Sequence, residues 1–184
     1  MTPFLDPKRS SLVLVDYQSR LMPALEGGPA ALGRAKRLAM GARILGVRTV
    51  TTAQNPAGLG PGDADLDGLA DARLEKRHFD GCADGLAALL TSPGRDVPSD
   101  IVIAGCETHV CLAQSARGLL RAGFRVHVAT DACASRRGGD RETALARLRD
   151  EGCRLATVEM ALFEWLGSCD HPGFRDVLAL VKQG

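Results

Sequence analysis

The sequence predicts an α/β fold: a three-layer, doubly wound parallel sheet of about six strands in the order 3-2-1-4-5-6, with helices on both faces. Short apolar runs recur along the chain, as expected for parallel strands that are covered on both sides. Segments rich in alanine and leucine, with helical periodicity, separate most of these runs. No repeat, linker or low-complexity tract interrupts the 184 residues, so we expect a single domain over residues 1–184.

The predicted elements alternate along the chain. The strands are Leu12 to Val15, Val47 to Thr52, Arg73 to Lys76, Ile101 to Ala104, Val126 to Ala129 and Arg154 to Val158. The helices are Ala30 to Leu45, Gly85 to Leu90, Val110 to Ala122, Arg141 to Glu151 and Pro172 to Lys182. Ligands of such sheets bind beyond the carboxyl ends of the strands. The polar residues at that edge are therefore the candidates for a site: Asp16, Gln54, Lys76, Cys111 and Asp131.

Composition limits the partners that we expect. The 23 basic and 22 acidic residues leave a net charge of +1, too weak to favour nucleic acid or an anionic membrane. No apolar run approaches the ~20 residues that span a bilayer, and no basic and apolar leader begins the chain. The six cysteines form no CxxC pair, so we expect reduced thiols. The sequence thus predicts a cytoplasmic protein that binds a small-molecule substrate.

The segment from Ile101 to Cys111 delivers a thiol to the start of a helix directly after a buried strand. Thr108 is the expected N-cap, which places Cys111 at the third helical position. The positive end of the helix dipole favours thiolate over thiol there. Cys111 is therefore the candidate nucleophile.

A nucleophilic thiol needs a proton acceptor, and its leaving group needs that proton back. Asp16, which ends the first strand, can act as base and then as acid, although an aspartate in that place is more often a turn or cap residue. Lys76 ends the third strand, where lysines are usually solvated. Beside Asp16 and Cys111, its cation would keep both groups ionised and stabilise charge during attack.

Three blocks of residues together resemble a known family. Leu14-Val-Asp16, Lys76-Arg-His-Phe79 and Gly105-Cys-Glu-Thr-His-Val-Cys111 resemble the isochorismatase-like cysteine hydrolases, in this order along the chain. The segment Gln54-Asn-Pro-Ala-Gly-Leu-Gly60 is similar to the metal-free subgroup around the isochorismatase domain-containing proteins.

The resemblance implies a catalytic triad of Asp16, Lys76 and Cys111. It also implies a non-proline cis peptide at Cys106-Glu107, and an oxyanion hole formed by the backbone N–H groups of Glu107 and Cys111. The implied reaction is hydrolysis of a C–N bond in a small amide or carbamoyl compound through a thioester at Cys111. Family members commonly associate, so we expect a homo-oligomer.

The metal-dependent relatives carry an aspartate and two histidines after the second strand, where this chain reads Thr51-Thr-Ala-Gln-Asn-Pro56. We therefore predict no catalytic metal and no other cofactor. Gln54, Asn55, Phe79 and His109 are the candidates for the substrate pocket. A phenylalanine between strands is core more often than ligand contact, and a histidine at a helix start is more often structural than catalytic.

Three other functions remain open at this stage. One is isochorismatase-type vinyl-ether hydrolysis, which the retained Cys111 disfavours. Another is a weakly catalytic member of the family whose main role is binding or assembly. The third is thiol redox chemistry, for which Cys106 is the most plausible partner of Cys111, although the strand end should bury it.

Overall fold

The computed structural model describes residues 4–91 and 97–182 of the chain. Its centre is one six-stranded parallel sheet in the order β3-β2-β1-β4-β5-β6, which confirms the predicted fold. The strands are β1 Ser10–Val15, β2 Arg48–Gln54, β3 Ala72–Lys76, β4 Asp100–Gly105, β5 Arg125–Ala129 and β6 Arg154–Ala156.

Eight α-helices accompany the sheet within the described residues: α1 Gly28–Ile44, α2 Pro56–Leu59, α3 Ala64–Leu69, α4 Leu86–Leu90, α5 Ala113–Arg121, α6 Gly138–Asp150, α7 Val158–Leu166 and α8 Phe174–Lys182. They pack in two groups, since α1 contacts α3, α7 and α8 while α5 contacts α6. Right-handed crossovers from β1 to β2 and from β4 to β5 run in opposite directions across the sheet, which places the two groups on opposite faces. No helix in the described ranges combines the length and the apolar character needed to cross a bilayer.

The strand order reverses between β1 and β4, which are neighbours in the sheet although they are far apart in sequence. Every residue of both strands is buried. At the end of the pair, Val15 lies beside Gly105, where a Cβ atom would come within 2.5 Å of the Val15 side chain. Glycine at 105 therefore allows β1 and β4 to approach each other at the switch point, the usual place for a ligand crevice.

Several helices differ from the prediction. The strand that we expected to run from Arg154 to Val158 ends at Ala156, and Val158 begins α7, which was not predicted. The Thr157 side chain caps this helix by accepting a hydrogen bond from the Met160 N–H at 3.2 Å. The apolar residues of α7 fit a buried strand as well as a buried helix, which explains why this helix was not predicted. The short helices α2 and α3 were also not predicted.

Candidate active site

Within residues 4–91 and 97–182, three non-glycine residues have positive φ, and all three lie within two residues of a strand end at the carboxyl edge. They are Asp16 (φ 57°) after β1, Asn55 (φ 39°) after β2 and Glu107 (φ 49°) after Cys106, the residue that follows β4. Each such residue costs of order 1–3 kcal/mol and persists only where its surroundings hold it. Strained backbone is therefore concentrated at the switch point of the sheet.

Asp16 and Lys76 form an ion pair inside the protein. The Lys76 Nζ lies 2.8 Å from the Asp16 Oδ2, and neither side chain has any exposed surface. The Lys76 Nζ also donates to the Gln54 Oε1 at 2.7 Å. Burial of a charge is costly unless it is paired and hydrogen-bonded, and this pair meets both conditions.

Side chains of β2 hydrogen-bond both Asp16 and Lys76 and so position the ion pair. The Thr52 hydroxyl donates to the Asp16 Oδ1 at 2.7 Å, while the Gln54 amide nitrogen donates to the Arg77 carbonyl at 2.7 Å. The buried Gln18 side chain fixes Gln54 in turn, because its Oε1 accepts from the Gln54 N–H at 2.8 Å and its amide donates to the Gln54 carbonyl at 3.1 Å. Both polar atoms of the Gln54 side chain are thus engaged within the protein.

Cys111 lies beside this pair. It is 6 % exposed, and Asp16 and Lys76 are both close enough to influence the pKa of its thiol. Burial, followed by the Asp16 carboxylate, raises the pKa of Cys111 to about 12, while Lys76 opposes the rise. At neutral pH the resting group is therefore a thiol, which corrects the expectation of a preformed thiolate.

The local helix geometry around Cys111 also differs from the prediction. Glu107, rather than Thr108, occupies the N-cap position, and the Thr108 hydroxyl instead donates to the Ala134 carbonyl at 3.0 Å. The segment Thr108–Leu112 is a π-helical turn that continues into α5, so Cys111 is its fourth residue. A π turn links each N–H to the carbonyl five residues earlier, so the Cys111 N–H has no such acceptor inside the turn.

The cis peptide that the resemblance implies at Cys106-Glu107 is absent, since no peptide bond among the described residues is cis. The positive φ of Glu107 redirects the chain at this point instead. The Glu107 N–H makes no hydrogen bond within the described part of the chain. It therefore remains available as a donor beside the Cys111 turn.

The Glu107 carboxylate is paired away from the thiol. It is bound by Arg136, whose Nε lies 2.5 Å from the Glu107 Oε1, and by His109, whose Nδ1 lies 3.4 Å from the Oε2. His109 also contacts the Ser135 hydroxyl at 3.1 Å and lines a cleft of about 250 Å³ between α5 and α6. The structure thus links His109 to Glu107 and Ser135, and no described interaction connects it to Asp16 or Lys76.

The remaining pocket candidates, Asn55 and Phe79, lie close to Lys76, in space or along the chain. Phe79 is 50 % exposed, three residues after Lys76. The Asn55 side chain hydrogen-bonds Arg77, and its N–H donates to the Lys76 carbonyl at 2.9 Å. Sequence reasoning missed Thr52 and Gln18, although period-two alternation along β2 puts Thr52 on the same face as Gln54.

Histidine, cysteine and carboxylate side chains do not gather in groups of three or more suited to a metal within residues 4–91 and 97–182. That the reaction needs no metal and no other cofactor remains a prediction. The six cysteines are all free thiols, and the Cys106 sulfur lies 3.4 Å from the Met22 sulfur in the core. Burial raises the pKa of Cys106 well above its ordinary value, as expected for a packed thiol.

Comparison with known proteins gives consistent matches along the chain. The family model described as Isochorismatase domain matches residues 10–160. Mouse isochorismatase domain-containing protein 2A is 34% identical over 178 residues, which are 96% of this chain and 84% of that protein. Zebrafish isochorismatase domain-containing protein 1 is 36% identical over 97% of this chain, which spans 62% of the zebrafish protein's length.

Solved structures share the whole fold. MAR1 ribonuclease from Caenorhabditis elegans superposes with a TM-score of 0.90 at 30% identity, covering 97% of this chain and 92% of that one. YcaC from Escherichia coli, described as an octameric hydrolase of unknown specificity, superposes with a TM-score of 0.82 at 21% identity, covering 100% of this chain and 99% of that one.

Proposed function

This chain belongs to the isochorismatase family, and on that basis we propose that it is a cysteine hydrolase that cleaves a C–N bond in a small amide or carbamoyl compound. The observation that carries the proposal is the buried ion pair of Asp16 and Lys76, whose two charges act in opposite directions on the pKa of the neighbouring Cys111 thiol. A buried thiol with a carboxylate acceptor and a neighbouring cation has the composition of an activated nucleophile.

In the proposed reaction, Asp16 takes the thiol proton as the Cys111 sulfur attacks the carbonyl carbon. The raised pKa of Cys111 makes this general base necessary, because little thiolate forms spontaneously at neutral pH. When the tetrahedral intermediate collapses, the C–N bond breaks and Asp16 returns the proton to the leaving nitrogen. Water, deprotonated by Asp16, then attacks the thioester and releases the acid and the Cys111 thiol.

Lys76 and the backbone around Cys111 have supporting roles in this scheme. Once Asp16 is protonated, the Lys76 cation faces the thiolate and stabilises it. The N–H groups of Glu107 and Cys111 are the proposed donors to the oxyanion, and losing one such donor typically costs on the order of 3 kcal/mol of transition-state stabilisation. A trans Cys106-Glu107 bond leaves this assignment possible, because the Glu107 N–H has no acceptor within the described residues.

The charge of the site favours an uncharged substrate. The Asp16 carboxylate and the Lys76 ammonium balance each other, and the resting Cys111 is a neutral thiol. A neutral amide therefore enters without leaving a buried charge unpaired. The 6 % exposure of Cys111 restricts access to small groups.

The test is a screen of small, uncharged amides and carbamoyl compounds, read as release of ammonia or amine. We expect one class to be hydrolysed, Cys111→Ala to abolish the activity, and Cys153→Ala to retain it. Cys153 is the matched control because it is another buried free thiol. Hydrolysis that persists in Cys111→Ala would contradict the proposed nucleophile.

Because the structurally similar C. elegans protein is described as a ribonuclease, RNA should be tested as an alternative substrate in the same screen. We expect no RNA cleavage that depends on Cys111, since the net charge of +1 gives the chain little attraction for phosphates. RNA cleavage that Cys111→Ala removes would replace the amide proposal by a nuclease.

Association of identical copies is also proposed, supported by the octamer described for E. coli YcaC. Exposed apolar side chains such as Phe79, Met160 and Phe163 offer area for such contacts. Static light scattering of the purified chain distinguishes an oligomer from a monomer.

A further inference from the structure

We infer that Thr52 is a positioning residue for Asp16. Its hydroxyl holds one oxygen of the Asp16 carboxylate, which leaves the other oxygen free to accept the Cys111 proton. The inference deepens the proposed function and rests on it. In this proposal, Thr52 does not contact the substrate.

The geometry around Asp16 is unequal for its two oxygens. Oδ1 accepts the Thr52 hydroxyl at 2.7 Å, a good distance for a buried O–H···O bond. Oδ2 lies 2.8 Å from the Lys76 Nζ, but no described donor reaches it with the angles of a hydrogen bond. The ion pair thus stabilises Oδ2 by charge while leaving a lone pair for the thiol proton.

Thr52 is fixed tightly enough to impose this division. It is buried in β2 beside Val15, and its carbonyl accepts from the Asp16 N–H at 3.2 Å. Two contacts, one through the backbone and one through the side chain, therefore join Thr52 to Asp16. These contacts hold the Asp16 carboxylate in place, although the Asp16 backbone is strained, with a φ of 57°.

The hydroxyl donates to the carboxylate, whose ionised form is the one that can act as base. The titratable groups that face Asp16 in the described part of the chain are Lys76 from β3, Cys111 from the π turn and Cys106 from the end of β4. Burial raises the pKa of both thiols far above neutrality, so neither titrates as the pH falls. A change in the acid limb of Cys111 reactivity therefore reports on Asp16.

The experiment measures the rate of Cys111 alkylation by iodoacetamide from about pH 3 to about pH 9, read by peptide mass spectrometry, so no substrate is needed. General-base transfer to Asp16 predicts a rate that is level near neutral pH and falls on the acid side. In Thr52→Val we expect that acid limb to move to higher pH by on the order of one pH unit. Thr52→Ser keeps a hydroxyl and should restore the wild-type profile.

Thr51→Val is the matched control. The Thr51 hydroxyl, on the adjacent residue of β2, also donates to a carboxylate, the Asp67 Oδ1 at 2.9 Å, but on the opposite face of the strand. If Thr52 has only a structural role, Thr51→Val and Thr52→Val should show the same pH profile of Cys111 alkylation. That result overturns the inference. If Thr52→Val does not fold, Thr52→Ala takes its place with the same expectation.

Asp16→Asn separates this inference from the proposed function. If Asp16→Asn removes the level region of the profile while Thr52→Val leaves the acid limb unmoved, Asp16 is the base and Thr52 does not position it. If Asp16→Asn changes nothing, or if the wild-type Cys111 fails to react, the coupling between Asp16 and Cys111 is absent and both proposals fail.

Discussion

The ion pair of Asp16 and Lys76 shows, at the scale of single residues, how much of the site the sequence could predict. Both side chains were candidates because they end strands of a parallel sheet, and the structure brings them to 2.8 Å from each other. The hydrogen bonds from Thr52 and to Gln54 could not be predicted in the same way. They depend on how adjacent strands are registered, which places Val15 opposite Thr52 and Gln54 opposite Lys76.

Removing the Lys76 charge tests the burial of this pair. Lys76→Met leaves the Asp16 carboxylate buried without a counter-charge, so we expect the free energy of unfolding to fall by about 3–5 kcal/mol in urea titrations. Adding Asp16→Asn to Lys76→Met removes the unpaired charge and should recover most of that loss.

The control for this substitution is Lys36→Met. The Lys36 ammonium pairs with Asp65 at 2.6 Å and with Asp63 at 3.0 Å, but all three side chains are open to solvent, with exposed fractions of 27%, 74% and 20% for Lys36, Asp65 and Asp63. Exposed ion pairs contribute only about 0–1 kcal/mol, so the control should change stability little. Equal losses for Lys76→Met and Lys36→Met would show that the Asp16 pair is not isolated from water.

At the scale of elements, the strands were predicted better than the helix starts. Buried parallel strands have a continuous apolar signature, and each predicted strand overlaps an observed one. The predicted start of the Cys111 helix was wrong because its π turn begins at Thr108 after Glu107, an N-cap residue that has positive φ without being glycine. Tertiary contacts, including the hydrogen bond from the Thr108 N–H to the Ala134 carbonyl, hold that conformation, and no local pattern encodes it.

Gly105→Ala tests the close approach of β1 and β4. The added methyl group would lie 2.5 Å from the Val15 Cβ and 2.6 Å from the Val15 carbonyl oxygen, so the two strands must separate. We expect a loss of about 1–3 kcal/mol in the free energy of unfolding, measured by urea denaturation. The same shift moves Asp16 away from Cys111 and should slow alkylation of that thiol.

Gly33→Ala provides the opposite case, since nothing lies within 4 Å of a Cβ at that position in α1. Alanine is favoured over glycine inside a helix by about 0.5–1 kcal/mol, so this variant should be more stable than wild type. A Gly105→Ala protein as stable as wild type would contradict the packing described at the switch point.

At the scale of the whole molecule, the two ends of the sheet carry different charged groups. The carboxyl edge holds Asp16 and Lys76, while the other end holds Asp100, whose carboxylate binds Arg125 at 2.5 Å and the His127 Nε2 at 2.9 Å. Burial raises the pKa of Asp100, but the hydrogen bonds from these partners outweigh it and lower the pKa overall. Burial lowers the pKa of His127. This network could not be predicted from the sequence, because the pairing of β4 with β5 creates it.

The His127 network predicts a pH dependence of stability. The unfolded chain takes up a proton on His127 near pH 6.5, while the folded protein resists protonation to lower pH. Because the unfolded state then binds more protons, the free energy of unfolding should fall as the pH drops from about 6.5 through the lowered folded pKa. His127→Gln should flatten that slope in urea titrations at several pH values.

His78→Gln is the control for this titration, because the His78 side chain is 67% exposed and pairs with Asp84 at the surface. We expect it to leave the slope near that of the wild type. An unchanged slope in His127→Gln, or an equal change in both variants, would assign the pH dependence to other groups.

If Cys111 attacks a carbonyl with Asp16 as its base, the covalent intermediate on Cys111 can be trapped and identified by mass spectrometry. The protein is mixed with a small activated acyl compound such as 4-nitrophenyl acetate, quenched in acid and digested. We expect one acyl group, on the Cys111 peptide, formed much more slowly in Asp16→Asn. Acylation of another residue, or equal acylation of Cys111 in Asp16→Asn, would contradict it.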